Sequence, residues 1–189
     1  MSSAAGQTPL ANPYLPHMPT ATTVVLDSQL SPKQEKLVRR MTNPLLYRLF
    51  AWKQLPSTAW WQVKVRAVGA AACEVEMPYG WRTQNPFSST YFAAQCGAAE
   101  LSTGALSLLH LEGKPRTSML VTQFDSKYYK KAADTLRFEC TDGVKISEAV
   151  AGTLDDGEGR TVIAHSRAYL PEGTLASEFW VTWSFRRKR

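Results

Sequence analysis

One formal charge interrupts the 29 residues from Thr83 to Leu111, and it belongs to Glu100. A carboxylate alone in an apolar stretch is costly to bury, and desolvation raises its pKa toward the range in which a general base works. A glutamate so placed equally fits a helix rim, paired with a lysine or facing a partner subunit. Asn85 stands 15 residues upstream, in the loop Gln84-Asn85-Pro86-Phe87-Ser88-Ser89-Thr90 that feeds a helix at Tyr91 and Phe92. Free backbone N–H groups at such a helix start form an anion or oxyanion site. Asn85 either orients a water or a substrate carbonyl there, or opens the turn before Pro86. Cys96 precedes Glu100 by one helical turn, but no histidine lies within a turn of either, so it reads as a small core residue.

The helix that carries Glu100 is expected over residues 91–111. Ala93, Gly97, Leu101, Gly104, Leu108 and Leu111 share one broad face, whose small residues would let a sheet approach closely. Poor in charge on every side, this is a buried helix. Strands should flank it. Trp61, Val63, Val65 and Ala67 alternate with polar residues, as do Cys73, Val75 and Met77, which predicts a hairpin. Period-two patterns return at Ser118–Lys127, Leu136–Cys140, Val144–Thr153, Arg160–Leu170 and Phe179–Phe185, with a strong turn at Asp155–Gly159. No long helix is expected among them, so the pairing should be antiparallel.

Two helices should precede the sheet. Ser31-Pro32-Lys33-Gln34 has the form of a capping box and predicts a helix from Pro32 to about Met41; Asn43-Pro44 repeats the signal for a second, with Leu45, Leu46, Leu49 and Phe50 on its apolar face. This basic amphipathic pair is either a packing appendage or a surface that meets a membrane or covers a ligand. Residues 1–30 are proline-punctuated and read as a flexible arm with a short extended piece at Thr22–Leu26; residues 31–189 read as a single domain, its helical extension over 31–54.

Composition narrows the function. At 44% hydrophobic and 20% charged, the 189 residues suit a globular chain, with no stretch suited to a membrane span. No basic residue precedes Lys33, so a signal or transit peptide is not expected. Three cysteines without C-x-x-C spacing and three scattered histidines offer neither a disulfide framework nor a metal signature, which fits a reducing cytoplasm. G-x-S-x-G, Walker and dinucleotide fingerprints are absent. The net charge of +6 attracts anions without naming one. Six tryptophans raise single-strand nucleic acid, but Trp61 and Trp183 fall on apolar strand phases and belong to the core.

A sheet wrapped on one helix, an Asn-containing loop before that helix and a lone acid within it resemble the hotdog-fold thioesterases. The likeness is to their phenylacetate-degradation-type branch and to the related hotdog group labelled DUF4442. It covers about residues 45–186 and is strongest over 79–112. In that branch an Asn precedes the helix, His-Gly-Gly begins it and an Asp or Glu follows; here Tyr91-Phe92-Ala93 stands at His-Gly-Gly and Lys130 at a Ser or Thr that often assists the acid. The resemblance implies an α+β hotdog fold, with five or six antiparallel strands around a central helix, and hydrolysis of an acyl thioester such as an acyl-CoA. Glu100 would activate water or attack the carbonyl, the Phe92 N–H would hold the oxyanion and Asn85 would position the reactants. Tyr91 would contact substrate, and Lys127, Lys130 and Lys131 would meet the phosphates of coenzyme A, or else form an ordinary strand end. Coenzyme A enters as part of the substrate, with no other cofactor. The site would lie at a subunit interface of a homodimer or higher homo-oligomer. The alternative is a hotdog module that binds an acyl chain or assembles without catalysis.

Overall fold

The structure is a computed structural model and describes residues 30–188. The arm expected over residues 1–30, including the extended piece at Thr22–Leu26, therefore lies outside the described residues except at its last position.

Both N-terminal caps form as their sequences require. Ser31 and Gln34 exchange reciprocal hydrogen bonds at the start of α1 (Pro32–Thr42), and the Asn43 side chain accepts from the N–H groups of Leu45 and Leu46 to start α2 (Pro44–Gln54). A further proline opens a third, one-turn helix, α3 (Pro56–Trp60), which the sequence reading left unassigned.

Six strands follow: β1 (Lys64–Val68), β2 (Cys73–Met77), β3 (Thr117–Tyr128), β4 (Leu136–Cys140), β5 (Arg160–Tyr169) and β6 (Leu175–Arg187). They form one sheet in the order β1-β2-β4-β5-β6-β3, every pair antiparallel. The helix α4 (Phe92–Leu111) lies across it, as expected of a sheet wrapped on one buried helix.

Four expectations are corrected. Val144–Thr153 is no strand; α5 (Gly143–Asp156) occupies it and links β4 to β5. Its β-branched residues suggested a strand, but Gly143, Ile146, Val150 and Thr153, the buried set, recur at spacings of three and four, the period of a helix. Gly143 is required at its start, because a Cβ there would overlap the carbonyls of Ala70 and Ala71 in the β1–β2 turn. Second, Trp61 precedes β1 rather than belonging to it. Third, a bulge between Val65 and Ala67 shifts the alternation, so Val68 is buried while Ala67 is only half-buried.

The fourth correction concerns the face of α4 that meets the sheet. Ala94, Gln95, Ala98, Ser102, Leu106 and Leu109 are buried, centred about half a turn away from the face through Ala93 and Leu111. Both faces are apolar with small residues, so periodicity alone does not choose between them. Gly104 still serves close approach, since a Cβ there would stand 3.1 Å from the Trp183 ring. Gly97 serves a different neighbour: its missing Cβ makes room for Trp61, whose ring would lie 2.8 Å away.

Candidate active site

Helix α4 divides into two chemically different halves. In the C-terminal half every hydroxyl is buried and partnered. Ser102 Oγ lies 2.8 Å from Ser166 Oγ of β5, Thr103 Oγ1 accepts from Trp183 Nε1 at 3.0 Å, and Ser107 donates to the Thr103 carbonyl at 2.9 Å. In the N-terminal half, Ala93, Cys96, Gly97 and Glu100, at spacings of three, one and three, line one wall of a groove of about 440 Å³. Gln54 to Thr58 and Trp61 form the opposite wall, and Phe124 of β3 completes it.

Glu100 is the only acid in that lining. Solvent reaches its side chain, yet the surrounding protein desolvates it enough to raise its pKa above the usual 4.5, and burial is the sole cause. No hydrogen bond or ion pair reaches its carboxylate among the described residues. Cys96 stands beside it and meets Tyr128 Oη at 3.5 Å; burial pushes that thiol up, which suits a packing residue rather than a nucleophile.

Upstream, the chain enters α4 through an N-cap without a side-chain hydrogen bond. Tyr91 donates its own N–H to the Thr83 carbonyl and accepts from Ala94 and Gln95, so Phe92 and Ala93 begin the helix with N–H groups that have no intrahelical acceptor. The rings of Tyr91 and Phe92 are exposed and meet edge to face at 5.2 Å. Asn85 organises the loop before them. Its Oδ1 accepts from Phe87 N, Ser89 N and Ser89 Oγ at 3.0 to 3.2 Å, and its Nδ2 lies 3.5 Å from the Thr90 carbonyl. The loop is pinned further by Thr90, which donates twice to the Ala132 carbonyl.

Lys127, at the end of β3, and Lys130 and Lys131, just beyond it, are all exposed. Lys127 Nζ sits 5.2 Å from the Tyr129 ring centroid, and the Lys130 N–H donates to the Ala176 carbonyl. None of the three lines the Glu100 groove. Trp183 is buried as expected, whereas Trp61 is half-buried and forms part of the groove. The sequence reading missed the wall at Gln54–Thr58 and missed Phe124. The three prolines that begin α1, α2 and α3 were the available signal for the first; none marked the second.

Among the described residues no three His, Cys, Asp or Glu side chains gather to hold a metal, and no helix is long and apolar enough to cross a membrane.

An antiparallel sheet wrapped on one central helix is the architecture of the hotdog fold. Solved structures of this fold bear it out. The chain is similar to a protein of unknown function from Chlorobaculum tepidum TLS, at 14% identity and TM-score 0.64 over 79% of this chain and 99% of that one. It is similar to a Pseudomonas aeruginosa protein described as a probable thioesterase, at 16% and 0.64 over 76% and 95%. A thioesterase from Haemophilus influenzae matches at 14% and 0.59 over 80% and 95%. At these identities the likeness is one of fold. The profile of the family described as "Domain of unknown function (DUF4442)" matches residues 46–181, and the chain belongs to that family. No curated protein sequence matches it.

Proposed function

We propose that this protein hydrolyses an acyl thioester, such as an acyl-CoA, with Glu100 as general base or nucleophile. The observation that carries the proposal is the carboxylate itself: the only acid lining its groove, unpaired among the described residues, and with a pKa raised by desolvation. A base held that way is more proton-hungry than an ordinary glutamate, and general-base catalysis is worth about 10²–10⁴-fold. The Phe92 N–H would stabilise the oxyanion, Asn85 would hold the loop that presents it, and Tyr91 would border the acyl group. Lys127, Lys130 and Lys131 are free to meet the phosphates of coenzyme A. The free thiols of Cys73, Cys96 and Cys140 suit a cytoplasmic setting.

The site needs two chains. Phe92 and Glu100 are eight residues apart on one helix, about 12 Å along its axis at 1.5 Å per residue. A glutamate side chain does not span that distance, so one carbonyl cannot meet both groups of a single α4. A homodimer supplies the missing half if Glu100 of one copy faces the Phe92 N–H of the other. The β3 strand, at the sheet edge with Leu120 exposed, offers a surface for such pairing.

The test is thiol release from short, long and aryl acyl-CoAs by three proteins: wild type, Glu100→Gln and Phe92→Pro. Proline is tolerated at the first helical position and removes the N–H together with the exposed Phe92 ring, so Phe92→Pro should keep its fold and lose about 10²–10³-fold in turnover. Mixing the two variants should restore activity, because hybrid dimers contain one intact site. Turnover that survives both substitutions would remove the proposed machinery, and folded protein without turnover on any thioester would favour the second reading. That reading, a non-catalytic acyl-binding module, draws on Asn85, whose carbonyl is saturated by its own loop.

A further inference from the structure

A second cavity, of about 450 Å³, lies on the other side of α3. It opens between α2 and β1, and none of its lining residues belongs to the Glu100 groove. Its floor is apolar and well buried: Tyr47, Ala51, Val63 and Val65 are all at least nine-tenths covered. The phenol oxygen of Tyr47 is buried and turned toward Thr58 and Cys73, so the floor presents its ring.

The rim is cationic. Arg48, Lys64, Arg66 and Arg82 line the cavity, and no acid does. Glu76, outside the lining, neutralises Arg66 and approaches Lys64 at 3.9 Å. Arg48 and Arg82 have no ion pair among the described residues. The Arg82 guanidinium stands 5.2 Å and 4.6 Å from the Trp60 and Trp81 ring centroids, and those rings meet edge to face. Cation–π contact of this kind holds the fork in place while its N–H groups remain available to a planar anion.

We infer that this cavity is a binding site for a single-chain anionic amphiphile, a fatty carboxylate, with its tail on the Tyr47–Val63 floor and its head between Arg48 and Arg82. An apolar pocket of this size with a few convergent charges is the ordinary form of a small-molecule site. The floor excludes a hydrated free anion, and the two unpaired guanidinium groups exclude a neutral lipid as the preferred occupant. Trp52 and Trp60 lie in the wall, so binding carries its own fluorescence signal.

The experiment titrates the full chain with dodecanoate below its micellar concentration, with dodecanol, dodecyl phosphate and neutral or anionic vesicles in parallel, read by tryptophan fluorescence and calorimetry. Saturable binding of dodecanoate with one site per chain is expected, at least about tenfold tighter than dodecanol. Each of Arg48→Gln and Arg82→Gln should weaken it about tenfold, the usual order for one charge-assisted hydrogen bond. Glu100→Gln should bind as wild type does, which separates this site from the thioester groove. Equal binding of dodecanol, indifference to both arginine substitutions, or loss of binding in Glu100→Gln would each overturn the inference. Tighter binding of dodecyl phosphate would overturn the carboxylate, and binding to vesicles without binding of monomeric dodecanoate would replace the cavity by a surface contact.

Discussion

The two halves of α4 present polar groups in opposite states. Ser102, Thr103 and Ser107 are sealed between the helix and the sheet, and each hydroxyl is hydrogen-bonded inside the protein. Glu100, on the turn just before them, is the more strongly hydrated group, yet it has no hydrogen-bond or ion-pair partner among the described residues and is only partly desolvated. Buried polar groups that are satisfied specify packing. A carboxylate that solvent reaches but protein partly desolvates holds its proton more tightly than a free one. The difference lies in what covers the outer side of the helix: Trp183 closes the C-terminal half, while at the N-terminal half Trp61 packs only on Gly97 and leaves a groove between Glu100 and Gln54–Thr58.

The strongest way to break this comparison is Glu100→Gln. Turnover of a thioester substrate should fall by about 10²-fold or more, with the unfolding free energy from urea denaturation lowered by no more than an ordinary surface substitution would cause, about 0.5 kcal/mol. A large stability loss would make Glu100 a structural residue like the three hydroxyls below it. Trp183→Phe should do the reverse. It removes the donor to Thr103 and part of the packing over Gly104, so chemical denaturation should show a loss of about 1–3 kcal/mol, and turnover per folded molecule should hold. Gly97→Ala sharpens the boundary between the halves, because the new Cβ presses on Trp61. The ring must shift into the groove, and a rise in KM of about tenfold with little change in kcat is expected, less than the hundredfold that misplacing reacting groups by 1 Å costs.

The smallest effect is on pH. Since the Glu100 pKa is raised in the folded chain, the folded state binds that proton more tightly than the unfolded one. Its contribution therefore favours folding at low pH and is lost as pH rises from 4.5 through the folded value. A comparison of thermal unfolding of wild type and Glu100→Gln across that window should show wild type losing stability relative to the variant as pH rises. The acid limb of kcat/KM should lie above 4.5 for the same reason.

Much of the fold was legible because the signals are local. Ser31 and Asn43 place two helix starts through bonds that span three residues, and the alternation of Cys73, Val75 and Met77 gives a strand within five. The failure at Val144–Thr153 has the same origin: β-branched residues and a four-residue period coexist there, and docking on β5 decides between them. For the site, the isolation of Glu100 was visible and its unpaired state was not, since that depends on Gln54–Trp61 and Phe124, far away in the chain.

The sequence by itself determined that one long, nearly uncharged helix carries a single acid and that strands of period two surround it. Hydrogen bonding within a turn and side-chain alternation act over a few residues and need no partner. Only the tertiary structure decided which of two apolar faces of α4 meets the sheet, and that α3 and Trp61 form a groove against the other. Those outcomes follow from packing between segments distant in sequence, where equally apolar surfaces compete and total burial selects one.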